Sequence, residues 1–223
     1  MKDERDEWYD PEKFAGNLGL YVQAIEEFVP YISAQLQIRQ RSRLATQSQN
    51  FPPEEIDYLV SDLRSSISSP LTRTIRGSAL VVIYAVFETT ALSYAETIDR
   101  EIGTNSPFNP RSERGEFISK ITRHYSDVLG VKLFVDSSEY SGLNTLKALR
   151  HSFVHNQCSI SALPKWLKAE MLAQESPLSH CRILENLWIP TASCINAHSQ
   201  LLGRWQERLL GRVIDRVGLD TFL

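Results

Sequence analysis

Residues 143–156 read LNTLKALRHSFVHN, and the spacing of their apolar side chains predicts a single amphipathic helix. At roughly 100° per residue, Leu146, Leu149 and Phe153 fall on one stripe of that helix. Such a stripe is typical of a helix that packs one face against other helices and leaves the rest in solvent. The polar residues of this stretch are therefore expected on a packed helix rather than on a loop.

Three of those polar residues, Arg150, His151 and His155, lie close together on the predicted helix. Residues four apart share a helix face, so the two histidines are stacked and Arg150 is one step round from His151. Arginine is a permanent, fork-shaped cation that suits phosphate, and histidine can take or give a proton near neutral pH. The set has the residue types needed to bind a phosphodiester and to move protons around it.

The sequence RHSFVH, from Arg150 to His155, resembles the signature of the HEPN superfamily of all-helical ribonucleases. In that signature an arginine is followed by a polar residue, a short spacer and a histidine on a late helix. His151 fits the polar position, and Asn156 follows the final histidine, as is common in the family. The resemblance implies that Arg150, His151 and His155 are catalytic, that Asn156 supports them, and that no metal or other cofactor is needed.

The reaction implied by this resemblance is metal-independent cleavage of RNA by an endoribonuclease. The 2′-hydroxyl attacks the adjacent phosphorus and leaves a 2′,3′-cyclic phosphate. His155 is predicted to be the acid or base and Arg150 to bind phosphate and stabilise transition-state charge. His151 is predicted to position RNA or to complete the proton path. The resemblance also implies a homodimer in which two motif helices pool their residues in one composite cleft.

The whole chain, residues 1–223, is predicted to be a single all-α, HEPN-type helical bundle. A small β-hairpin, predicted over residues 182–189, is appended before the last helix. Helical periodicity predicts long helices over residues 11–49, 71–102, 114–129 and 190–217, and short ones over 53–65 and 164–172. The HEPN resemblance covers roughly residues 70 to 217 of this layout.

Local signals predict where several of these elements begin and end. Ser69-Pro70 predicts a break before the long central helix, and a bend is expected near Pro30. Residues 137–139 (SSE) offer N-cap chemistry for the motif helix, and Asn156 can close it. Residues 131–135 (VKLFV) predict a short extended piece.

Glu88 follows directly after the apolar run 79–87 of the central helix. A buried carboxylate needs a partner, which we expect to be Arg73, Arg76 or an arginine of another helix. In HEPN proteins of similar layout, a helix reading much like R-S-x-x-x-x-Y-x-x-x-E packs beside the catalytic helix. The residues that correspond loosely are Arg76, Ser78, Tyr84 and Glu88. The resemblance therefore makes Glu88 a candidate for orienting Arg150 or a histidine.

The composition, with 42% hydrophobic and 23% charged residues, is ordinary for a globular protein. Because the net charge is −3, RNA binding must come from a local basic patch. The candidates for binding RNA are Arg39, Arg41, Arg43, Arg76 and Arg123. Residues 1–12 hold six acidic side chains, which predict a solvated tail, a helix start or a docking segment for a basic partner.

The three cysteines are scattered and form no CxxC motif, which favours a reducing compartment. The N-terminal residues lack the apolar core of a signal peptide. The longest apolar run, 79–87, is far shorter than the roughly 20 residues that cross a bilayer. These observations predict a cytoplasmic protein with no membrane partner.

Three alternatives stay open. The polar residues of the motif can be an ordinary solvated helix edge, or the chain can be a catalytically silent HEPN module that serves for dimerisation or for binding nucleotide or a protein partner. His151, His155 and Cys158 also have a spacing that suits zinc if the helix continues, although HSFVH lacks the glutamate of HExxH.

HEPN toxins silenced by a nucleotidyltransferase antitoxin carry a tyrosine two residues after the final histidine, where this chain has Gln157. The resemblance therefore favours control by a bound antitoxin or another regulatory protein. It also implies a setting of growth arrest, antiviral defence or RNA turnover.

Overall fold

The computed structural model describes residues 11–47, 52–109, 115–172, 181–184 and 186–218. These residues form an all-α fold with one small two-stranded sheet, as the sequence predicted. In chain order the elements are α1 (Pro11–Gln47), α2 (Pro53–Ile102), α3 (Phe117–His124), α4 (Ser137–Asn156), α5 (Lys165–Leu172), β1 (Arg182–Leu184), β2 (Leu187–Ile189) and α6 (Ala192–Val217). The acidic segment 1–10 lies outside the described residues.

The chain divides into two compact units. The first contains the described parts of Met1–Leu18, Val81–Arg150 and Ala197–Leu223, and the second contains Gly19–Leu80 and the described parts of His151–Asn196. The backbones of α1, α2, α4 and α6 each continue from one unit into the other. The single domain predicted for the whole chain stays a prediction.

Aromatic residues fill the core of the first unit. Phe87 of α2 and Trp205 of α6 are fully buried, with their ring centroids 4.9 Å apart. The indole N–H of Trp205 donates to the carbonyl of Leu133 at 3.0 Å, and the Tyr125 hydroxyl donates to the carbonyl of Ala91 at 2.8 Å. The polar tips of these large side chains are thus satisfied inside an apolar core.

Helix α3 continues into a π-helical turn, Tyr125–Leu129, which closes at Gly130. The φ of Gly130 is 68°, in the left-handed region that glycine adopts without steric cost. This confirms the predicted helix end at Gly130. The helix begins at Phe117 rather than at residue 114, and residues 110–114 lie outside the described part of the chain.

The start of α4 is capped differently from the prediction. Asp136, just before the helix, accepts a hydrogen bond from the backbone N–H of Glu139 at 2.9 Å. The Glu139 carboxylate in turn accepts from the N–H of Val135 at 2.9 Å. The reciprocal pair satisfies two donors that the helix leaves open. Of the predicted residues 137–139, Glu139 and Ser138 take part, since the Ser138 hydroxyl also donates to the Asp136 carboxylate at 2.5 Å.

The predicted extended piece at 131–135 is wrong, because these residues form no strand. The carbonyl of Leu133 accepts instead from the side chains of Trp205 and Arg212, at 3.0 and 3.2 Å. Side-chain donors from α6 therefore satisfy a carbonyl that a neighbouring strand would otherwise satisfy, and the backbone stays irregular.

The β-hairpin before α6 is confirmed. Strands β1 and β2 pair antiparallel, with Ile183 opposite Trp188. The chain that follows α4 runs along β2, where the N–H of Trp188 donates to the carbonyl of Cys158 at 3.0 Å. An isolated bridge between Ser159 and Leu187 extends this contact. The hairpin thus ties the end of the motif helix into the second unit.

The predicted break at Ser69-Pro70 is wrong. Helix α2 runs from Pro53 to Ile102 with Pro70 inside it, and α1 likewise runs through Pro30. A proline removes one hydrogen bond and costs about 3 kcal/mol, but helix can propagate on both of its sides. The apolar run after Pro70, which is largely buried, offsets that cost.

Among the described residues, the segment Pro70–Ile102 is long and apolar enough to cross a membrane by length and composition alone. Of its most apolar window, 44% is buried within the protein. A helix in the core of a soluble protein has the same properties. The segment exceeds the apolar run 79–87 because it includes the polar residues on either side.

Candidate active site on helix α4

Helix α4 carries Arg150, His151 and His155 on one continuous backbone, as the sequence predicted. Leu146 and Leu149, two members of the predicted stripe, are fully buried. The helix extends to Asn156, which confirms the predicted end. Arg150 belongs to the first compact unit and the two histidines to the second.

The end of α4 is fixed by left-handed backbone at Gln157 and Cys158, whose φ angles are 49° and 65°. The N–H of Cys158 donates to the carbonyl of Ser152 at 3.1 Å, a bond that spans six residues. This bond joins residues six apart, one more than in the Schellman motif, and the left-handed conformation that follows a helix is usually adopted by glycine rather than by a residue such as Gln157. The carbonyl of Asn156 accepts from the N–H of Ser159 at 2.8 Å. The backbone of Asn156 therefore helps to hold the helix end.

In the first unit, Arg150 lies against Tyr84 of α2. Its guanidinium lies over the ring of Tyr84, 5.7 Å from the centroid, which is a cation–π contact. The charge of Arg150 also acts on the half-buried carboxylate of Glu88. Glu88 therefore interacts electrostatically with an arginine of another helix, one of the partners expected from the sequence.

Tyr84 and Glu88 are one turn apart on α2 and share a side-chain hydrogen bond. Burial raises the pKa of Glu88, while the positive charge of Arg150 and the bond from Tyr84 act in the opposite direction. Burial also raises the pKa of Tyr84, and the negative charge of Glu88 adds to that effect. Tyr84 therefore remains a protonated donor, and the three side chains form a mixed-charge cluster.

In the second unit, the side chains of His151 and His155 are both exposed. Their ring centroids lie 4.6 Å apart, with an angle of 44° between the ring planes. The stacking predicted from the four-residue spacing is confirmed. Two imidazoles that face solvent side by side are accessible to a ligand or substrate.

Ser152, between the two histidines in the sequence, is buried and points the other way. Its Oγ accepts from the indole N–H of Trp188 at 3.0 Å and donates to the carbonyl of Ser159 at 3.4 Å. Trp188 is itself fully buried in the hairpin. These bonds anchor the helix turn that carries the histidines. No local sequence pattern predicts this contact, because Ser152 and Trp188 are 36 residues apart.

Phe153, the third member of the apolar stripe, packs against the backbone of α2 at Gly77. A Cβ atom placed on Gly77 would lie only 2.2 Å from a carbon of the Phe153 ring. The absence of a side chain at Gly77 is therefore what allows this close approach. The sequence carried a signal for it in a glycine inside a helical pattern.

The arginines predicted to bind RNA have different surroundings. Arg39, Arg41 and Arg43 are exposed on α1 in the second unit, and Arg123 is exposed on α3 in the first. The side chain of Arg76 is only 18% exposed and forms a two-pronged ion pair with Glu26. Its charge is thus offset within the fold.

The zinc alternative finds little support in the placement of Cys158. This cysteine is fully buried beyond the helix end, and burial raises its pKa to about 12, whereas both histidines are exposed. Across the described residues, no group of three His, Cys, Asp or Glu side chains is placed to hold a metal ion.

No protein family, characterised protein or solved structure that has been compared with this chain matches it. Functional inference therefore rests on the motif residues and on the geometry around them.

Proposed function

We propose that this protein is a HEPN-type endoribonuclease that cleaves RNA without a metal ion. The observation that carries the proposal is the pair of exposed imidazoles, His151 and His155, on the helix that also bears Arg150. This helix has the arginine, polar residue and histidine of the HEPN signature. The all-α fold is compatible with the same class.

The proposed reaction is an attack of the RNA 2′-oxygen on the adjacent phosphorus. A base accepts the proton of the 2′-hydroxyl, the new P–O bond forms, and the bond from phosphorus to the 5′-oxygen breaks. An acid then protonates the departing 5′-oxygen, which leaves a 2′,3′-cyclic phosphate and a 5′-hydroxyl. We assign one of the two proton transfers to His155, because an exposed imidazole exchanges protons near neutral pH.

Arg150 is proposed to bind the scissile phosphate and to stabilise the charge that develops on it. The cation–π contact with Tyr84 supports this assignment, because it limits the conformations of a long side chain, and the electrostatic attraction between Arg150 and Glu88 acts in the same sense. A positioned cation stabilises a transition state with less reorganisation than a freely moving one. Glu88 is thus proposed as the residue that positions Arg150.

His151 is proposed to bind RNA or to take the second proton transfer. A homodimer in which two copies of α4 meet would bring two such sets together, which is the arrangement that the HEPN class implies. The exposed arginines Arg39, Arg41, Arg43 and Arg123 are proposed contacts for the RNA backbone. Arg76 is a weaker candidate, because its charge is paired with Glu26.

The test is an RNA cleavage assay in EDTA with the purified parent, His155→Ala and Arg150→Ala. We expect the parent to cleave RNA and leave cyclic-phosphate ends, and both variants to lose at least about 100-fold in rate. For His155→Ala this is the usual effect of removing an acid–base group, and for Arg150→Ala that of removing a group that stabilises transition-state charge. Arg204→Ala, which removes an exposed arginine of α6, is the control for loss of surface charge.

Expression in cells gives a second readout. The parent is expected to slow growth, whereas His155→Ala and Arg150→Ala are not. Equal growth of all three, together with no cleavage of any RNA pool by folded parent protein, would favour a silent module that binds nucleotide or protein. Cleavage that EDTA abolishes would contradict the metal-independent mechanism.

A further inference from the structure

His151 and His155 form the exposed histidine pair of the described chain. The other histidines in the described residues, His124 and His198, are buried, and His124 is hydrogen-bonded to Asp99 at 3.0 Å. Two imidazoles one helical turn apart are also a pair of metal ligands when both rings are neutral. One ion can reach both rings only if their centres lie at a suitable separation.

The ring spacing fits a shared ion. A metal bonded to an imidazole nitrogen at about 2.0–2.1 Å lies roughly 3.2 Å from the ring centre. Two rings around one ion at angles of about 90–109° then have centres roughly 4.5–5.2 Å apart. The observed distance between the centroids of His151 and His155 is 4.6 Å, which lies within this range.

We propose that His151 and His155 together bind one divalent transition-metal ion, such as Zn²⁺, at the surface of α4. Imidazole suits zinc, nickel and copper, and water would complete the coordination because both rings are exposed. Cys158 takes no part, since it is buried beyond the end of the helix. The helix, anchored through Ser152 and Trp188, fixes the backbone positions of the two ligands before the ion arrives.

The consequence for catalysis rests on the proposed ribonuclease function. A metal ion occupies the nitrogen lone pair that an imidazole uses to accept a proton. Zn²⁺ bound by both histidines would therefore inhibit RNA cleavage, and a chelator would restore it. EDTA would therefore increase the rate of RNA cleavage by Zn²⁺-treated protein, whereas it would decrease the rate of a metal-dependent nuclease.

The first measurement is Zn²⁺ binding to the full chain by isothermal titration calorimetry, without RNA. We expect one ion per chain for the parent, and affinity weakened by about tenfold or more in His151→Ala and in His155→Ala. Zn²⁺ should also raise the melting temperature of the parent but not of either variant, because an ion that binds only the folded state stabilises it.

Two control variants separate this site from other ligands in the chain. Cys181→Ser removes a thiol from the buried pair in which Cys181 and Cys194 lie 3.6 Å apart. His180→Ala removes a histidine that lies outside the described residues. Both controls are expected to bind Zn²⁺ like the parent. Parent-like binding by His155→Ala, or loss of binding in the Cys181→Ser control, would overturn the proposal.

The metal site and the ribonuclease can fail separately. Zn²⁺ binding that depends on both histidines supports the site even if no RNA is cleaved, and in that case the ribonuclease proposal fails alone. If His155-dependent cleavage persists at Zn²⁺ concentrations that saturate the calorimetric site, the proposed inhibition is refuted. Inhibition that EDTA reverses in the parent supports the whole inference.

Discussion

Replacing Gly77 by alanine tests the close packing of α4 against α2 at Phe153. Gly77 lies in α2, and a Cβ built on it would be 2.2, 2.3 and 2.8 Å from three carbons of the Phe153 ring. Separations below about 3 Å are far inside van der Waals contact, so the ring or the backbone must move. Gly211, in α6, is the matched control, because a Cβ there meets nothing within 4 Å.

The expected change in the free energy of unfolding of Gly77→Ala combines two opposing contributions. Alanine is favoured over glycine in a helix interior by about 0.5–1 kcal/mol. Overpacking a well-packed site costs about 1–3 kcal/mol. Gly211→Ala should therefore raise the free energy of unfolding by about 0.5–1 kcal/mol. The free energy of unfolding of Gly77→Ala should be about 1–3 kcal/mol lower than that of Gly211→Ala, because the helix contribution is the same in both variants and only Gly77→Ala is overpacked.

The assay is denaturant unfolding of both variants and the parent, with m-values compared to verify that the unfolding transition is unchanged. A double-mutant cycle with Phe153→Ala isolates the clash. In the Phe153→Ala background, Gly77→Ala should stabilise the protein about as much as Gly211→Ala does. Equal stabilisation by the two glycine substitutions while Phe153 is present would refute the close contact.

Three further predictions concern the same helix and its support. Ser152→Ala leaves the buried indole N–H of Trp188 without its hydrogen-bond partner, so it should lower the free energy of unfolding by about 1–3 kcal/mol. In a Trp188→Phe background, which has no indole N–H, the same substitution should cost less. Gln157→Gly should raise the free energy of unfolding, measured by chemical denaturation, by about 1 kcal/mol, because glycine adopts the left-handed φ of 49° without steric cost. A variant less stable than the parent would contradict this prediction. Because burial raises the pKa of Glu88 above its ordinary value of 4.5, the stability linked to this group is present at low pH and lost as pH rises through the folded-state pKa. Glu88→Gln should therefore lose less stability than the parent between pH about 4 and neutral pH, and an identical pH profile of unfolding would refute the assigned burial effect.

Elements set by local periodicity were predicted well. The motif helix, its buried residues Leu146 and Leu149 and its end at Asn156 follow from spacing and from one capping signal. The hairpin before α6 follows in the same way, from a short alternating run between turn residues. Each of these depends on residues a few positions apart, which interact through the helix or strand they belong to.

Errors occurred where a local signal competed with packing. Pro70 was predicted to end a helix, but the buried surface that follows it keeps α2 continuous. The cap of α4 was assigned to residues 137–139; Ser138 and Glu139 do take part, but the carboxylate that accepts their hydrogen bonds belongs to Asp136, outside the predicted set. Residues 131–135 have strand-like composition, yet donors from α6 satisfy the carbonyl of Leu133.

The sequence by itself determined the helix that carries Arg150, His151 and His155, and it determined that the two imidazoles share a face. Helix geometry alone fixes those relations. Only the tertiary structure decided that Arg150 interacts electrostatically with Glu88, and that Arg76, an equally plausible partner in the sequence, pairs with Glu26. Glu26 and Arg76 are 50 residues apart. Such pairings depend on which helix faces meet, and that is settled by burial of apolar surface summed over the fold rather than by any local pattern.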